Sequence, residues 1–369
     1  MHAPFVSSAG SDPIERHGGN LVATALRLGC RPDQLLDASA SLVPFAPPAA
    51  LLRALRTAPL RPYPDRSYGA LRQAIARLHG LEPAQVLPGN GAAELFTWVA
   101  RDAAAAGVSL LPSPGFADYG RALACWDGAH RPLPLPLTWS EVWPQPFPGQ
   151  QAQELGGDVL WITNPHNPTG QLWSRASLEA LLPHFALVIV DEAFLPLVPG
   201  GEAESLIPLV ERHPQLVVIR SLTKLFAIAG LRLGYAVASP ERLRQWSGWR
   251  DPWPVNALAA AAGEVLVADP RWPRRVRHWV GAEGPRLRQR IGALSGLTPL
   301  PSAANFLLVR GDDSLVPLRQ GLEQRHRVLL RDGRSFEGLG EQWLRIGLQD
   351  RSGNQRILRA LAWELRAGP

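Results

Sequence analysis

The stretch Leu216-Val217-Val218-Ile219-Arg220-Ser221-Leu222-Thr223-Lys224-Leu225-Phe226-Ala227-Ile228-Ala229-Gly230-Leu231-Arg232-Leu233-Gly234 decides how the chain reads. Four apolar residues in a row suit a strand covered on both faces, and polar groups follow at once, at Ser221 and Lys224. Lys224 is the only lysine among 38 Lys and Arg residues. A guanidinium stays protonated, whereas a lysine amine can lose its proton and condense with a carbonyl. A sole lysine in an arginine-rich chain is therefore a candidate for chemistry that arginine cannot perform. The bland alternative is a surface lysine left over from compositional drift.

Working outward, the same pattern recurs. Leu187–Val190 reads as a buried strand ending at Asp191-Glu192-Ala193-Phe194, and Val159–Thr163 as another, ending at Asn164-Pro165-His166-Asn167-Pro168-Thr169-Gly170. Apolar strands alternating with helical stretches predict a mostly parallel sheet covered by helices, the α/β class, and such sheets bind ligands beyond the C-terminal ends of their strands. Asn167, Asp191 and Lys224 all fall there. Upstream, Gln85–Leu87 reads as a short strand leading through Gly89-Asn90-Gly91 into a helix that begins near Ala92 and Ala93. A glycine-opened helix N-terminus offers free N–H groups and a positive dipole end to a phosphate. The proline- and tryptophan-rich segment 131–150 reads as irregular surface chain. After Tyr235 the pattern changes to helices over 254–292, short strands at Phe306–Val309, Val328–Leu330 and Trp343–Ile346, and a closing helix at 354–366. The expected organisation is an N-terminal arm and helix over 1–45, a large domain over 46–250 and a small C-terminal α+β domain over 251–369.

Composition narrows the function classes. With 46% apolar and 19% charged residues, 369 residues can bury a large core. The net charge of +6 admits nucleic-acid binding, but the arginines are spread along the chain, without a basic tail or an aromatic ladder. Two cysteines, Cys30 and Cys125, are too few for a disulfide framework or a zinc site, so no metal is expected. No run approaches the ~20 apolar residues of a membrane span. A cytoplasmic protein is the expectation.

A condensing amine, a carboxylate and phosphate-binding groups along one sheet edge describe a site for pyridoxal 5'-phosphate. Asp191 would pair with the ring nitrogen and Asn167 with the phenolic oxygen, while Ser221, Arg232 and the amides after Gly91 would hold the phosphate. Taken singly, each has a structural alternative: a helix cap for Asp191, a surface ion pair for Arg232.

The stretches Asn164–Gly170, Asp191–Phe194 and Ser221–Gly234 resemble the fold-type-I PLP-dependent enzymes of the histidinol-phosphate aminotransferase branch. His17-Gly18-Gly19-Asn20, Pro114–Ala122 and Trp253-Pro254-Val255-Asn256-Ala257-Leu258-Ala259-Ala260 resemble, within it, the L-threonine-O-3-phosphate decarboxylases of cobalamin biosynthesis. The resemblance implies a large domain with a mostly parallel seven-stranded sheet between helices and a smaller C-terminal domain. It implies that Lys224 carries the cofactor, Asp191 and Asn167 hold its ring, Phe116 stacks on it, and Ala92, Ala93, Ser221 and Arg232 bind its phosphate. Tyr63 would reach the cofactor phosphate of a neighbouring subunit in a homodimer. Arg345 would grip the substrate carboxylate, and Arg331, His17 and Gly18 its phosphate. Ser41 stands where these decarboxylases carry a substrate-contacting asparagine, His166 replaces one of a pair of asparagines, and Phe194 replaces the tyrosine common in the aminotransferases. The implied reaction is decarboxylation of O-phospho-L-threonine to (R)-1-amino-2-propanol O-phosphate, with transamination of histidinol phosphate as the rival and a basic nucleic-acid-binding protein as a remote one.

Overall fold

A computed structural model describes residues 15–367, so residues 1–14 of the expected N-terminal arm lie outside the described residues. Among the described residues twelve strands form: β1 (Leu36–Ala38), β2 (Val86–Asn90), β3 (Ser109–Ser113), β4 (His130–Pro134), β5 (Val159–Thr163), β6 (Leu187–Asp191), β7 (Leu216–Ser221), β8 (Leu233–Val237), β9 (Leu297–Pro299), β10 (Phe306–Gly311), β11 (Val328–Asp332) and β12 (Trp343–Gly347). Seven form one sheet in the order β2-β8-β7-β6-β5-β3-β4. Only β8 runs against its neighbours there, so the sheet is otherwise parallel, as the fold-type-I resemblance implies.

Every residue of β5, β6 and β7 is buried. Side chains alternate across a sheet, so each apolar run serves both faces. Leu160, Ile162, Val188, Val190 and Val218 join the core beneath the helices Gly69–His79 and Ala257–Val267. Val159, Trp161, Ile189, Val217 and Ile219 join the core beneath Gly91–Ala106. Each large side chain buried this way stabilises the fold by about 1.5–3 kcal/mol.

The segment read as irregular departs from that reading at its start. His130–Pro134 is a strand, β4, at the edge of the sheet, paired in parallel with β3. Its prolines are tolerated because an edge strand leaves one side of its backbone unpaired.

The smaller sheet has the order β1-β11-β12-β10-β9. Three of its strands were legible as apolar runs, whereas β1 and β9, three residues each, are too short to show a period. β1, from the first 45 residues, pairs in parallel with β11, and β11 pairs antiparallel with β12 so that Arg331 and Arg345 are direct partners.

Candidate active site

The site forms where β5, β6 and β7 end. One cavity of about 180 Å³ is lined by Asn167, Asp191, Ser221, Lys224, Ala92, Ala93, Phe116, Arg232, Ser41, His17, Gly18, Arg331 and Arg345, among others. Of the expected site residues, only Tyr63 lies elsewhere in this chain: it is 76% exposed and stacks on Trp253 at 4.2 Å.

Lys224 sits in the single helical turn Leu222–Leu225, started by Ser221, whose hydroxyl accepts the Thr223 N–H. Burial, reinforced by the charges of Arg345 and Arg232, lowers its amine to about 8. A useful fraction of that amine is therefore neutral, and nucleophilic, near physiological pH. Its Nζ lies 5.9 Å from the ring centre of Phe194.

Asp191 ends β6. Its Oδ2 accepts the Tyr119 hydroxyl at 2.7 Å and its Oδ1 the Ala193 N–H at 2.9 Å. Burial raises this carboxyl to about 6, against those hydrogen bonds and the charge of Lys224. A protonated ring nitrogen beside it would restore the carboxylate. Tyr119 also contacts Thr163 Oγ1 at 2.8 Å and packs edge-on against Phe116, so one phenol orients both the carboxylate and the aromatic wall. Tyr119 escaped the sequence reading; its signal was scarcity, as one of four tyrosines, inside the stretch that holds Phe116.

The phosphate end is built from β2 and β8. Asn90 pairs with Leu233, which brings Arg232 beside the helix Gly91–Ala106. The first-turn amides of Ala92 and Ala93 have no helical carbonyl to bond. Gly91 has φ +73°, and a Cβ there would lie 2.5 Å from Arg232 Nη2. Arg232 is itself left-handed at φ 59°, a strain of about 1–3 kcal/mol that tends to be kept at functional sites.

The opposite wall carries two buried arginines. Arg345 Nη1 donates to Asn167 Oδ1 at 2.6 Å and Nη2 to the Ser39 carbonyl at 2.9 Å. Arg331 donates through Nη2 to the Arg16 carbonyl. Both guanidinium groups lie over the ring of buried Phe336, at 5.2 and 5.4 Å. Among the described residues, Arg345 Nε, Arg331 Nε and Nη1, and the hydroxyl of Ser41 are buried without a hydrogen-bond partner. Burial and the charge of Arg331 lower Arg345 to about 9, and burial lowers Arg331 to about 10, so both stay cationic at neutral pH. Unpaired buried donors are costly, and two like charges side by side more so. Such a wall is built to receive anions.

A family model described as aminotransferase class I and II matches residues 34–361. The chain belongs to that family. Threonine-phosphate decarboxylase of Salmonella typhimurium is 36% identical over 94% of this chain and 95% of that protein. Histidinol-phosphate aminotransferase 1 of Methylococcus capsulatus is 34% identical over 91% of this chain and 92% of its own length. The crystal structure of histidinol-phosphate aminotransferase from Sinorhizobium meliloti in complex with pyridoxal-5'-phosphate superposes with a TM-score of 0.81, at 22% identity, over 99% of this chain and 96% of that one. As a class I and II aminotransferase homologue the chain is a PLP-dependent protein, and its cavity fits that group. The sole amine, the buried carboxylate and the Gly91–Arg232 cradle match the cofactor's aldehyde, ring nitrogen and phosphate. No helix among the described residues is long and apolar enough to cross a membrane.

Proposed function

We propose that the chain is a PLP-dependent carboxy-lyase that decarboxylates O-phospho-L-threonine to (R)-1-amino-2-propanol O-phosphate, a step of cobalamin biosynthesis in the cytoplasm. The observation that carries this reading is the pair Arg331 and Arg345, adjacent across β11 and β12, with unpartnered donors in the cavity that holds Lys224. The substrate they suit carries two anionic groups near one amine. Phosphothreonine has both a carboxylate and a phosphate; histidinol phosphate has only the phosphate. The 36% identity to a threonine-phosphate decarboxylase supports the same reading.

The residues take these roles. Lys224, Asp191 and Asn167 are the catalytic set: Lys224 would hold the cofactor covalently, Asp191 would keep its ring nitrogen protonated, and Asn167 would contact its phenolic oxygen and the substrate. Ala92, Ala93, Ser221 and Arg232 would hold its phosphate, and Phe116 would stack on its ring. When bound, the cofactor supplies a conjugated system that accepts the electron pair released as CO2 leaves. Arg345, oriented by Asn167 and Ser39, grips the carboxylate, and Ser41 offers it a further hydroxyl. Arg331, with His17 and Gly18, holds the phosphate. Anchoring the substrate at both ends fixes Cα over the reacting groups, and positioning of this kind is worth up to about 7–11 kcal/mol. Tyr63, exposed here, reaches the cofactor phosphate of a second copy, so the active unit is a homodimer. The working division of the chain is a large unit over 46–250 and a small one over 251–369, with the arm 1–45 lending β1 to the latter.

The rival reading is a histidinol-phosphate-type aminotransferase, favoured by the 34% identity to such an enzyme. One assay separates them. Holoenzyme mixed with O-phospho-L-threonine, without any keto-acid acceptor, should release CO2 over many turnovers. Amino transfer that requires a keto acid, with no CO2, would overturn the decarboxylase reading.

A further inference from the structure

Ser39 touches two parts of the site that the roles above leave separate. Its hydroxyl stands 2.6 Å from Asp37 Oδ1, to which it donates, and accepts the Gly19 N–H at 3.1 Å. Its carbonyl accepts Arg345 Nη2 at 2.9 Å. Its own N–H donates to Asp37 Oδ1 at 2.9 Å, and the Asp37 carbonyl accepts Gln349 Nε2 at 3.1 Å, which ties this turn to the chain just after β12. With one proton given and one accepted, the hydroxyl is fixed in direction rather than free to rotate.

The segment Arg16–Gly19 is packed tightly on the same residue. A Cβ at Gly18 would lie 2.4 Å from the Ser39 carbonyl oxygen and 2.8 Å from its hydroxyl. Only a glycine fits this approach, so Gly18 is required by contact with Ser39. On its other side the segment gives the Arg16 carbonyl to Arg331. The segment is thus held between Ser39, which also holds Arg345, and Arg331, which is the direct strand partner of Arg345.

From this we infer that Ser39 is a positioning residue that couples the seating of Arg16–Gly19 to the state of the two arginines. An anion that engages Arg331 and Arg345 tightens the same hydrogen-bonded unit that clamps the segment, so anion binding and segment closure are one equilibrium. Linkage then requires that loosening the segment weakens anion binding by the same factor. The inference rests on the proposed reading in that O-phospho-L-threonine is the anion of interest. The coupling itself needs only a phosphate at Arg331.

The test is trypsin cleavage after Arg16 in the full-length holoenzyme, alone, with inorganic phosphate, and with O-phospho-L-threonine, read alongside steady-state kinetics. In the native protein either anion should slow cleavage at Arg16. In Ser39→Ala, which keeps the carbonyl to Arg345, protection should vanish. The KM for O-phospho-L-threonine should rise about 3–10-fold, the value of one or two neutral hydrogen bonds, with kcat within about twofold. Gly18→Ala reaches the same contact from the other side and should likewise abolish anion protection at Arg16, which keeps the test available if Ser39→Ala folds poorly. A generally weakened fold would lower the melting temperature and speed cleavage everywhere, with anion protection at Arg16 intact. Equal protection by phosphate in native and Ser39→Ala proteins, or a loss confined to kcat, would overturn the inference. Failure of the reaction reading is distinct: native holoenzyme would then release no CO2 while phosphate still protected Arg16.

Discussion

Arg331 and Arg345 are direct partners on antiparallel strands, both buried, with the ring of Phe336 against both guanidinium groups. Two like charges in register destabilise a sheet unless an anion lies between or beside them. The unliganded protein therefore carries stored repulsion that a bound dianion relieves.

Inorganic phosphate should for that reason raise the melting temperature relative to chloride at equal ionic strength. At a hundredfold excess over its dissociation constant the gain is about 2.7 kcal/mol. Arg331→Met should lose the phosphate effect while leaving the unliganded protein at least as stable as before, since it removes one of the two opposed like charges. Thermal scans in the two buffers check both. A native protein indifferent to phosphate would remove the basis for the anion wall.

Lys224→Arg keeps the charge and removes the condensing amine. Turnover should fall by more than about 10³-fold, as when a covalent catalyst is deleted elsewhere. The variant should fold, and PLP added to it should dialyse away, where the native protein retains it through a borohydride-reducible bond.

The amine's acidity gives a pH test. Only the neutral amine attacks the aldehyde, and burial beside Arg345 and Arg232 places its midpoint at about 8, below the 10.5 of an ordinary lysine. The rate at which cofactor-free protein takes up PLP should therefore rise with pH and reach half its maximum near 8. Arg345→Met removes the cation whose charge lowers that amine most and should move the midpoint upward. Stopped-flow mixing across pH 6–10 reads it directly.

Tyr119→Phe deletes the hydroxyl that donates to Asp191. That bond holds the carboxyl down, so without it Asp191 should titrate above its present value of about 6. The carboxylate form is the one that pairs with a protonated ring nitrogen. The acid limb of the pH–kcat profile should move to higher pH, and PLP affinity at neutral pH should fall about tenfold, the value of a hydrogen bond to a charged group.

The proposed reach of Tyr63 into a second copy predicts complementation. Tyr63→Ala and Lys224→Arg homodimers should each be impaired. If Tyr63 acts across the interface, a mixed dimer contains one intact site, so random exchange at equal amounts should recover about a quarter of native activity. No recovery after subunit exchange would argue that Tyr63 serves no partner site.

Much of the catalytic edge was legible in the chain because it is local. Asn167, Asp191 and Lys224 each fall within a few residues of the end of an apolar run, and a parallel sheet sets the ends of such runs side by side. Lys224 declared itself by being the sole lysine, and the Gly89–Gly91 turn by its glycines. Arg331 and Arg345 were named through resemblance alone, since among so many arginines nothing local marks them.

Sequence alone, then, named the candidate groups: a sole lysine, a carboxylate at a strand end, and a glycine-opened helix suited to a phosphate. Tertiary structure decided the rest. Tyr119 reaches Asp191 across 72 residues, and Ser39 reaches Arg345 across 306. The strand register sets Arg331 against Arg345, and Phe336 is brought beneath both. The physical reason is range: periodicity and turn chemistry are encoded by neighbours in the chain, whereas the partner of a buried polar group is chosen by how sheets and loops pack once the backbone has closed.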